Sequence, residues 1–409
     1  MVDALALGIM LLSLVVWLLL WLGWGQFWRA DVLEEADGEA ELARWPSVCV
    51  TIPARNEAEL LPRTLRSHLQ QTYPGSLNII LVDDSSTDGT AQVVQQTAQD
   101  MGKSEQVQVI AAEPLPAGWT GKLWALHQGI RQAQSMEPQP DYLLLADADI
   151  EHDPDNLRRL MVKAEMEELS LASIMVRLRC VSFWEQGLIP AFVFFFQKLY
   201  PFRWVNDVRK STAAAAGGCI LIRNSVLQEI GGIQVVRQSL IDDCALAQAV
   251  KTGKVRESDE GASDPVSASR APKRRIWLGL SSKTCSLRPY PSLASIWDMV
   301  ARTAFTQLNY SPVLLVGTLF AMGLIYLVPP VGAIWGALGG NVAIAALGAS
   351  TWLLMSALYW PLLHFYKGWP GLTFCLPAIA LLYSLMTADS ALRHWQGRGG
   401  AWKGRTYSG

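Results

Sequence analysis

Two apolar regions frame the chain: Ala4 to Gly25 is almost entirely apolar, and another runs from Pro312 to Ala388. A helix needs about 20 such residues to cross a bilayer. The middle is polar and alternates. Val48-Cys-Val-Thr-Ile-Pro53 is a β-rich run, and a helical pattern carrying Leu60, Leu61, Leu65 and Leu69 follows it. Further strands are predicted at Leu77 to Val82, Val107 to Ala111 and Tyr142 to Ala146, with a helix from Ala91 to Met101 and another through Ala125 and Leu126 to Gly129. Repetition of strand, polar loop and helix predicts an α/β fold with an open, Rossmann-like, mostly parallel sheet. The ligand site of such a sheet lies outside the carboxyl ends of its strands.

Every chemically interesting loop falls at those ends. The first carries Arg55, Asn56 and Glu57, the second Asp83 and Asp84, and the strand ending at Ala146 delivers Asp147 and Asp149. Side chains alternate faces along a strand, so Asp147 and Asp149 leave its end on the same side. Two close carboxylates repel unless a cation joins them. Mg2+ or Mn2+ carrying a phosphate suits such a pair; a solvated loop after a buried strand is the plainer alternative. Gly121-Lys122 at a helix start can hold an anion, or be only a capped turn. The P-loop spacing is absent.

Further along, Ala213 to Arg223 offers small residues and then a strand, so Gly217 and Gly218 form either an acceptor-facing wall or a tight packing site. Asp242-Asp243 reads by itself as a pair capping a helix. The aromatic run Phe192 to Phe196 with Trp204 suits core or membrane-surface packing. Lys251 to Arg275 is Ser-rich and nearly aliphatic-free, which predicts a mobile insertion. Order returns at Ile276. Tyr290 to Asn309 reads as one amphipathic interface helix with Arg302 exposed or facing the site.

Candidate spans after it are Pro312 to Gly336, Val342 to Leu363 and Leu372 to Ala388. The first segment lacks a basic start and a small-x-small cleavage site, so it reads as an uncleaved anchor. Arg29 after it puts the polar middle in the cytoplasm. Three further crossings would leave the tail outside, yet Arg393, Arg398, Lys403 and Arg405 make it basic. One segment is therefore expected to be re-entrant or interfacial, either the first, at Pro329-Pro330, or the last. The 51% hydrophobic content and 17 Trp agree with a membrane protein, and a net charge of −2 argues against a nucleic-acid binder. The six cysteines show no metal-ligand spacing and read as small buried residues.

Val50-Thr-Ile-Pro-Ala-Arg-Asn-Glu57, Val82-Asp-Asp-Ser-Ser-Thr-Asp-Gly-Thr90, Gly121-Lys122 with Ala125-Leu126, and Ala146-Asp-Ala-Asp149 together resemble the inverting family 2 glycosyltransferases of the GT-A fold. The chain with its membrane ends looks most like the hopene-associated bacterial members. The resemblance implies that Pro53, Ala54, Arg55, Glu57 and Asp84 hold the base and ribose of a nucleotide sugar, a UDP-sugar favoured, with Lys122 near the nucleotide. Asp147 and Asp149 would border the diphosphate and a divalent cation, Mg2+ or Mn2+, with Asp149 favoured as the direct ligand. The family's base lies in a later Glu-Asp pair. Here that pair is Asp242-Asp243, with Asp replacing Glu. Trp402-Lys403-Gly404-Arg405 resembles a tail signature of related lipid enzymes.

The expected organisation is an anchor (1–28), an acidic linker (29–46), a GT-A catalytic domain (47–289, insertion 251–275), an interface helix (290–311), membrane segments (312–390) and a basic tail (391–409). The expected function is transfer of one sugar, with inversion, to a lipid hydroxyl at a bacterial inner membrane, with a hopanoid acceptor favoured. The Q-x-x-R-W motif of polymer synthases has no match. Rival readings are a polyprenyl-phosphate or polysaccharide glycosyltransferase and, from another class, a metal-dependent nucleotidyl or phosphoryl transferase.

Overall fold

A computed structural model describes residues 2–33, 40–253, 273–398, 401–402 and 405–406. An apolar helix, α1 (Val2–Gly23), leads into β1 (Val48–Ala54), α2 (Leu61–Leu69), β2 (Leu77–Asp83), α3 (Thr90–Asp100), β3 (Val107–Ala111), α4 (Gly121–Gln134) and β4 (Tyr142–Ala146). Every residue of β1 and β4 is buried, as central strands covered on both faces require. The close fit of α4 on β1 needs Gly129, where an added Cβ would come 2.3 Å from Thr51 Cγ2. The chain continues through β5 (Ile150–Glu151), α5 (Asn156–Met166), β6 (Leu171–Arg177), α6 (Phe183–Leu199), α7 (Phe202–Asn206), β7 (Cys219–Arg223), α8 (Asn224–Glu229), α9 (Asp242–Thr252) and β8 (Ile276–Ser286).

The eight strands form one mixed sheet in the order β3-β2-β1-β4-β7-β6-β8-β5. From β3 to β4 all neighbours are parallel, so Asp83, Ala54 and Ala146 end at one edge. The reversal at β7 positions the site. Running antiparallel to β4, it pairs Cys219 with Ala146, which puts the start of β7 beside the end of β4. The β5–β8 pairing sets Ile150 opposite Ser286 and so returns the end of β8 to the same edge.

Several expectations change. The start of the segment placed in the linker docks on the sheet: Val32 bridges to Leu280 and buried Leu33 donates its N–H to the Leu280 carbonyl at 2.8 Å. The acidic run at 34–39 and most of the insertion, 254–272, lie outside the described residues. Lys251 does not belong to a loose tract: it is buried in α9, and its ammonium donates to the Val205 and Thr212 carbonyls at 2.7 Å each. Nor are all the cysteines buried. Cys49, Cys219 and Cys244 are, Cys180 and Cys285 are half-buried, and Cys375 is exposed.

The single amphipathic helix expected over 290–309 is two: α10 (Leu293–Ala301), capped by Ser292, and α11 (Ala304–Gln307), with Thr303 out of helical geometry between them. Apolar Ile296 and Val300 of α10 are buried, and its Trp297 indole donates to Asp389 at 2.7 Å.

Among the described residues, four helices are long and apolar enough to cross a membrane: 3–23, 312–338, 342–365 and 370–395. The second is continuous, α12 (Pro312–Met322) and α13 (Val328–Leu338) being joined by a π-helical turn at Gly323–Leu327, so Pro329-Pro330 does not break it as expected. The prolines leave a polar group to satisfy. The Ile325 carbonyl would take an N–H from residue 329 in an α-helix or 330 in a π-helix, and both are proline, which has none. The Trp17 indole of α1 supplies the donor at 2.6 Å.

The last two apolar helices, α14 (Val342–Phe365) and α15 (Leu376–Trp395), end on the same side. At the end of α14 the Tyr366 hydroxyl oxygen accepts from the Leu178 N–H at 3.4 Å. The chain then runs back, Ser356 and Trp352 in mid-α14 donating to the Thr373 and Phe374 carbonyls. From there α15 returns to the α/β unit, the Tyr383 hydroxyl donating to the Leu188 carbonyl at 2.8 Å and Arg393 pairing with Asp298 at 2.7 Å.

Candidate active site

The sheet edge opens into a cleft of about 750 Å³ between the strand ends and α10. It brings together Pro53, Glu57, Lys122, Asp147, Asp149, Gly217, Gly218, Asp242, Asp243 and Arg302 from the residues singled out in the sequence. The remaining three stand behind it. Ala54 is fully buried at the end of β1, and Asp84 is 2% exposed, its backbone carbonyl accepting from Arg55 at 2.6 Å. Asp84 and Arg55 therefore brace the first two loops against each other, with a carboxylate–guanidinium distance of 3.6 Å, and neither lines the cleft. The three loops do meet at one sheet edge, and of them those after β1 and β4 line the cleft.

At the cleft floor Lys122 is the hub. Thr120 caps α4, whose first turn presents the Lys122 ammonium to Asp147 at 2.9 Å and Asp242 at 3.5 Å. Burial works against its charge, but Asp147, Asp242 and Asp243 outweigh that and raise its pKa. Asp243 sits in the first turn of α9, where a carboxylate is favoured by the helix dipole. Its Oδ2 accepts from the Gly217 N–H at 2.9 Å and its Oδ1 from the Cys244 N–H at 2.7 Å. Burial first, and then Asp242 beside it, nevertheless push the Asp243 carboxyl up to about 6. That value suits a proton acceptor working near neutrality.

The two glycines prove to have different surroundings. A Cβ on Gly217 would stand 3.1 Å from Lys122 Nζ and 3.6 Å from Asp243 Oδ2, so this glycine lets the backbone approach the charged cluster. On Gly218 a Cβ would meet Ile150 and Val176, a packing site. Met175, Leu178, Phe192, Phe196 and Met299 add apolar lining to the cleft, and Arg302, Arg393 and Arg398 add basic lining. Within the aromatic run, Phe194 is core and Phe192 and Phe196 face the cleft.

The end of β8 contributes residues that sequence reasoning missed. The Ser286 hydroxyl donates to Asp149 Oδ2 at 2.7 Å. Arg288 donates to Glu57 Oε1 at 2.7 Å and lies 3.4 Å from Asp149 Oδ2. Only the antiparallel pairing of β8 with β5 brings them there, and nothing local in Ser286-Leu-Arg288 signals it.

A divalent cation suits this floor electrostatically. Five carboxylates (Glu57, Asp147, Asp149, Asp242, Asp243) face two cationic side chains, Lys122 and Arg288. Burial, and the Asp149 charge beyond it, raise the pKa of Asp147 against the pull of Lys122. No group of three His, Cys, Asp or Glu among the described residues is arranged to hold a metal unaided. The residues fit a cation that arrives with, and is completed by, diphosphate oxygens.

Residues 49–231 match the sequence family described as Glycosyl transferase family 2. Among curated relatives, the chain is 31% identical over 135 residues to glucomannan 4-beta-mannosyltransferase 7 of Arabidopsis thaliana, a match covering 33% of this chain and 23% of the relative. It is 27% identical to the beta-monoglucosyldiacylglycerol synthase of Synechocystis sp., covering 37% and 30%. The chain thus spans less than half the length of these relatives. In structure it is similar to the mannosyltransferase PcManGT of Pyrobaculum calidifontis, solved with GDP-Man and Mn2+, with a TM-score of 0.58 at 17% identity over 96% of this chain and 99% of that one. The fold is of the GT-A type, a mostly parallel curled sheet.

Proposed function

We propose that this chain, which carries a glycosyl transferase family 2 domain at residues 49–231, is a membrane-associated enzyme that transfers one sugar, with inversion, from a nucleotide-diphosphate sugar to a lipid hydroxyl. One observation carries the reading. Asp243, held by the Gly217 N–H, shares a single cleft with Asp147 and Asp149, and that cleft has apolar lining in a chain with helices long enough to span a membrane.

In this reading the nucleotide lies over Pro53 and Glu57, and its diphosphate reaches Lys122. Asp147 and Asp149 would hold a divalent cation, which when bound supplies charge neutralisation to the departing diphosphate. The acceptor hydroxyl enters along the Phe192 and Phe196 face and attacks the anomeric carbon from the side opposite the diphosphate. As the new C–O bond forms and the bond to the diphosphate breaks, the hydroxyl proton passes to Asp243. The hydrogen bonds from Gly217 and Cys244 fix the orientation of that carboxylate. Asp242, paired with Lys122, keeps the ammonium near the floor.

The acceptor is a membrane lipid. A hopanoid polyol is favoured by the resemblance in the sequence. Arg302, Arg393 and Arg398 in the cleft lining give the second reading, a lipid whose headgroup carries a phosphate. Undecaprenyl-phosphate 4-deoxy-4-formamido-L-arabinose transferase of Pseudomonas savastanoi, 30% identical over 124 residues, is a relative of that kind. The contacts of α14 and α15 support a topology in which the segment at 370–375 dips in and α15 returns, leaving the end of α15 on the cleft side, taken as cytoplasmic. The purified full chain, given labelled nucleotide sugars with a hopanoid polyol, diacylglycerol or polyprenyl phosphate in turn, tests the proposal. A glycolipid with the opposite anomeric configuration to its donor is expected; a product of retained configuration, or none with any lipid, contradicts it.

A further inference from the structure

The pairing of Arg288 with both Asp149 and Glu57 has a consequence for how the site takes up its cation. Arg288 comes from the end of β8, and its guanidinium spans two loops: it donates to Glu57 after β1 at 2.7 Å and stands 3.4 Å from Asp149 after β4. Asp149 is 7% exposed and Glu57 6%, so both carboxylates are largely withdrawn from water, while the Arg288 side chain is 31% exposed. Asp149 Oδ2 receives the Ser286 hydroxyl at 2.7 Å as well as facing Arg288. A metal ion bound to Asp149 at about 2.1 Å would therefore sit within a few ångströms of a fixed positive charge.

We propose that Arg288 is a resident counter-ion that suppresses metal binding at Asp149 until a diphosphate arrives. The incoming diphosphate gives both cations an anion to share. Its oxygens would complete the coordination of the ion and offer the planar guanidinium a bidentate partner, the kind of contact for which Arg is suited. Arg288 then moves from Asp149 toward the diphosphate while Glu57 keeps hold of its other nitrogen. Uptake of metal and donor is thereby coupled, and the free metal alone binds poorly. Arg288 acts through the surroundings of Asp149 rather than on the reacting atoms, and is a positioning residue.

The inference rests on the proposed reading of Asp149 as a metal ligand, and direct metal binding separates its failure from that of the reading. Mn2+ binding to the full chain in detergent, without nucleotide, is measured for wild type, Arg288→Gln, Arg288→Met and Arg288→Lys. The neutral variants are expected to bind Mn2+ tighter by roughly tenfold or more, the scale on which groups around metal ligands act, while Arg288→Lys stays near wild type. Adding Asp149→Asn to Arg288→Gln is expected to abolish the gain. Equal Mn2+ affinity in wild type and both neutral variants overturns the inference even if sugar transfer is intact, and so does a gain that survives Asp149→Asn. Using two neutral variants of different shape guards against one failing to fold.

Discussion

The backbone N–H of Gly217 donates to Asp243 Oδ2 at 2.9 Å, joining the start of β7 to the first turn of α9. This contact aims a buried carboxylate into the cleft and limits what residue 217 can be. An alanine there would carry its Cβ to 3.1 Å from the Lys122 ammonium. We expect Gly217→Ala to fold normally but to lower kcat by about 10- to 100-fold, the cost of displacing reacting groups by a fraction of an ångström to 1 Å. Steady-state kinetics beside a thermal melt check this.

The pH profile follows from Asp243, whose carboxyl lies at about 6. A proton acceptor works only when deprotonated, so activity is full well above that value and is lost as pH falls through it. Lys122 pulls the value down. In Lys122→Met the inflection is therefore expected to move to higher pH, together with a weaker donor KM. A profile of kcat against pH from 5 to 9 (about one unit on either side of the transition and beyond) reads the shift directly.

Trp17 and Pro329 form one device across two apolar helices. The indole satisfies the Ile325 carbonyl that the prolines leave without an N–H. Trp17→Phe is expected to cost about 0.6–1.7 kcal/mol, the range of hydrogen bonds between membrane helices. In Pro329→Ala a backbone N–H becomes available to that carbonyl, so the loss on Trp17→Phe should be smaller in that background. A double-mutant cycle of thermal stability in detergent measures the difference.

Sidedness is testable with single cysteines in a background lacking exposed Cys375. Arg393 and Arg398 line the same cleft as Asp243. A cysteine at Gln396 is therefore expected to label from the same side as one at Glu59, and a cysteine at Leu338 from the opposite side. Labelling of Gln396→Cys with Leu338→Cys would contradict the re-entrant reading of 370–375.

Much of the parallel half of the sheet is legible because each of its strands is a short apolar run ended by turn residues, and the acidic loops follow directly. The site's other half is not. Arg288 reaches Glu57 from 231 positions away, through a strand pairing that no local pattern signals. Asp84 was legible as a strand-end carboxylate, but not its pairing with Arg55, which donates to its carbonyl, nor its burial. Pro329-Pro330 pointed to a break, but a π-helical turn before the pair and the Trp17 indole on the Ile325 carbonyl accommodate it, and neither is signalled locally.

The central claim is that Asp243 removes the acceptor's proton while a nucleoside diphosphate departs across the same cleft. The most direct measurement follows both products, glycolipid and released nucleotide, for wild type and Asp243→Asn under identical donor and lipid. Wild type is expected to yield glycolipid and nucleoside diphosphate in equal amounts, and Asp243→Asn to bind donor normally yet turn over about 10²- to 10⁴-fold more slowly. Undiminished turnover in Asp243→Asn, or release of pyrophosphate in place of nucleoside diphosphate, would contradict it.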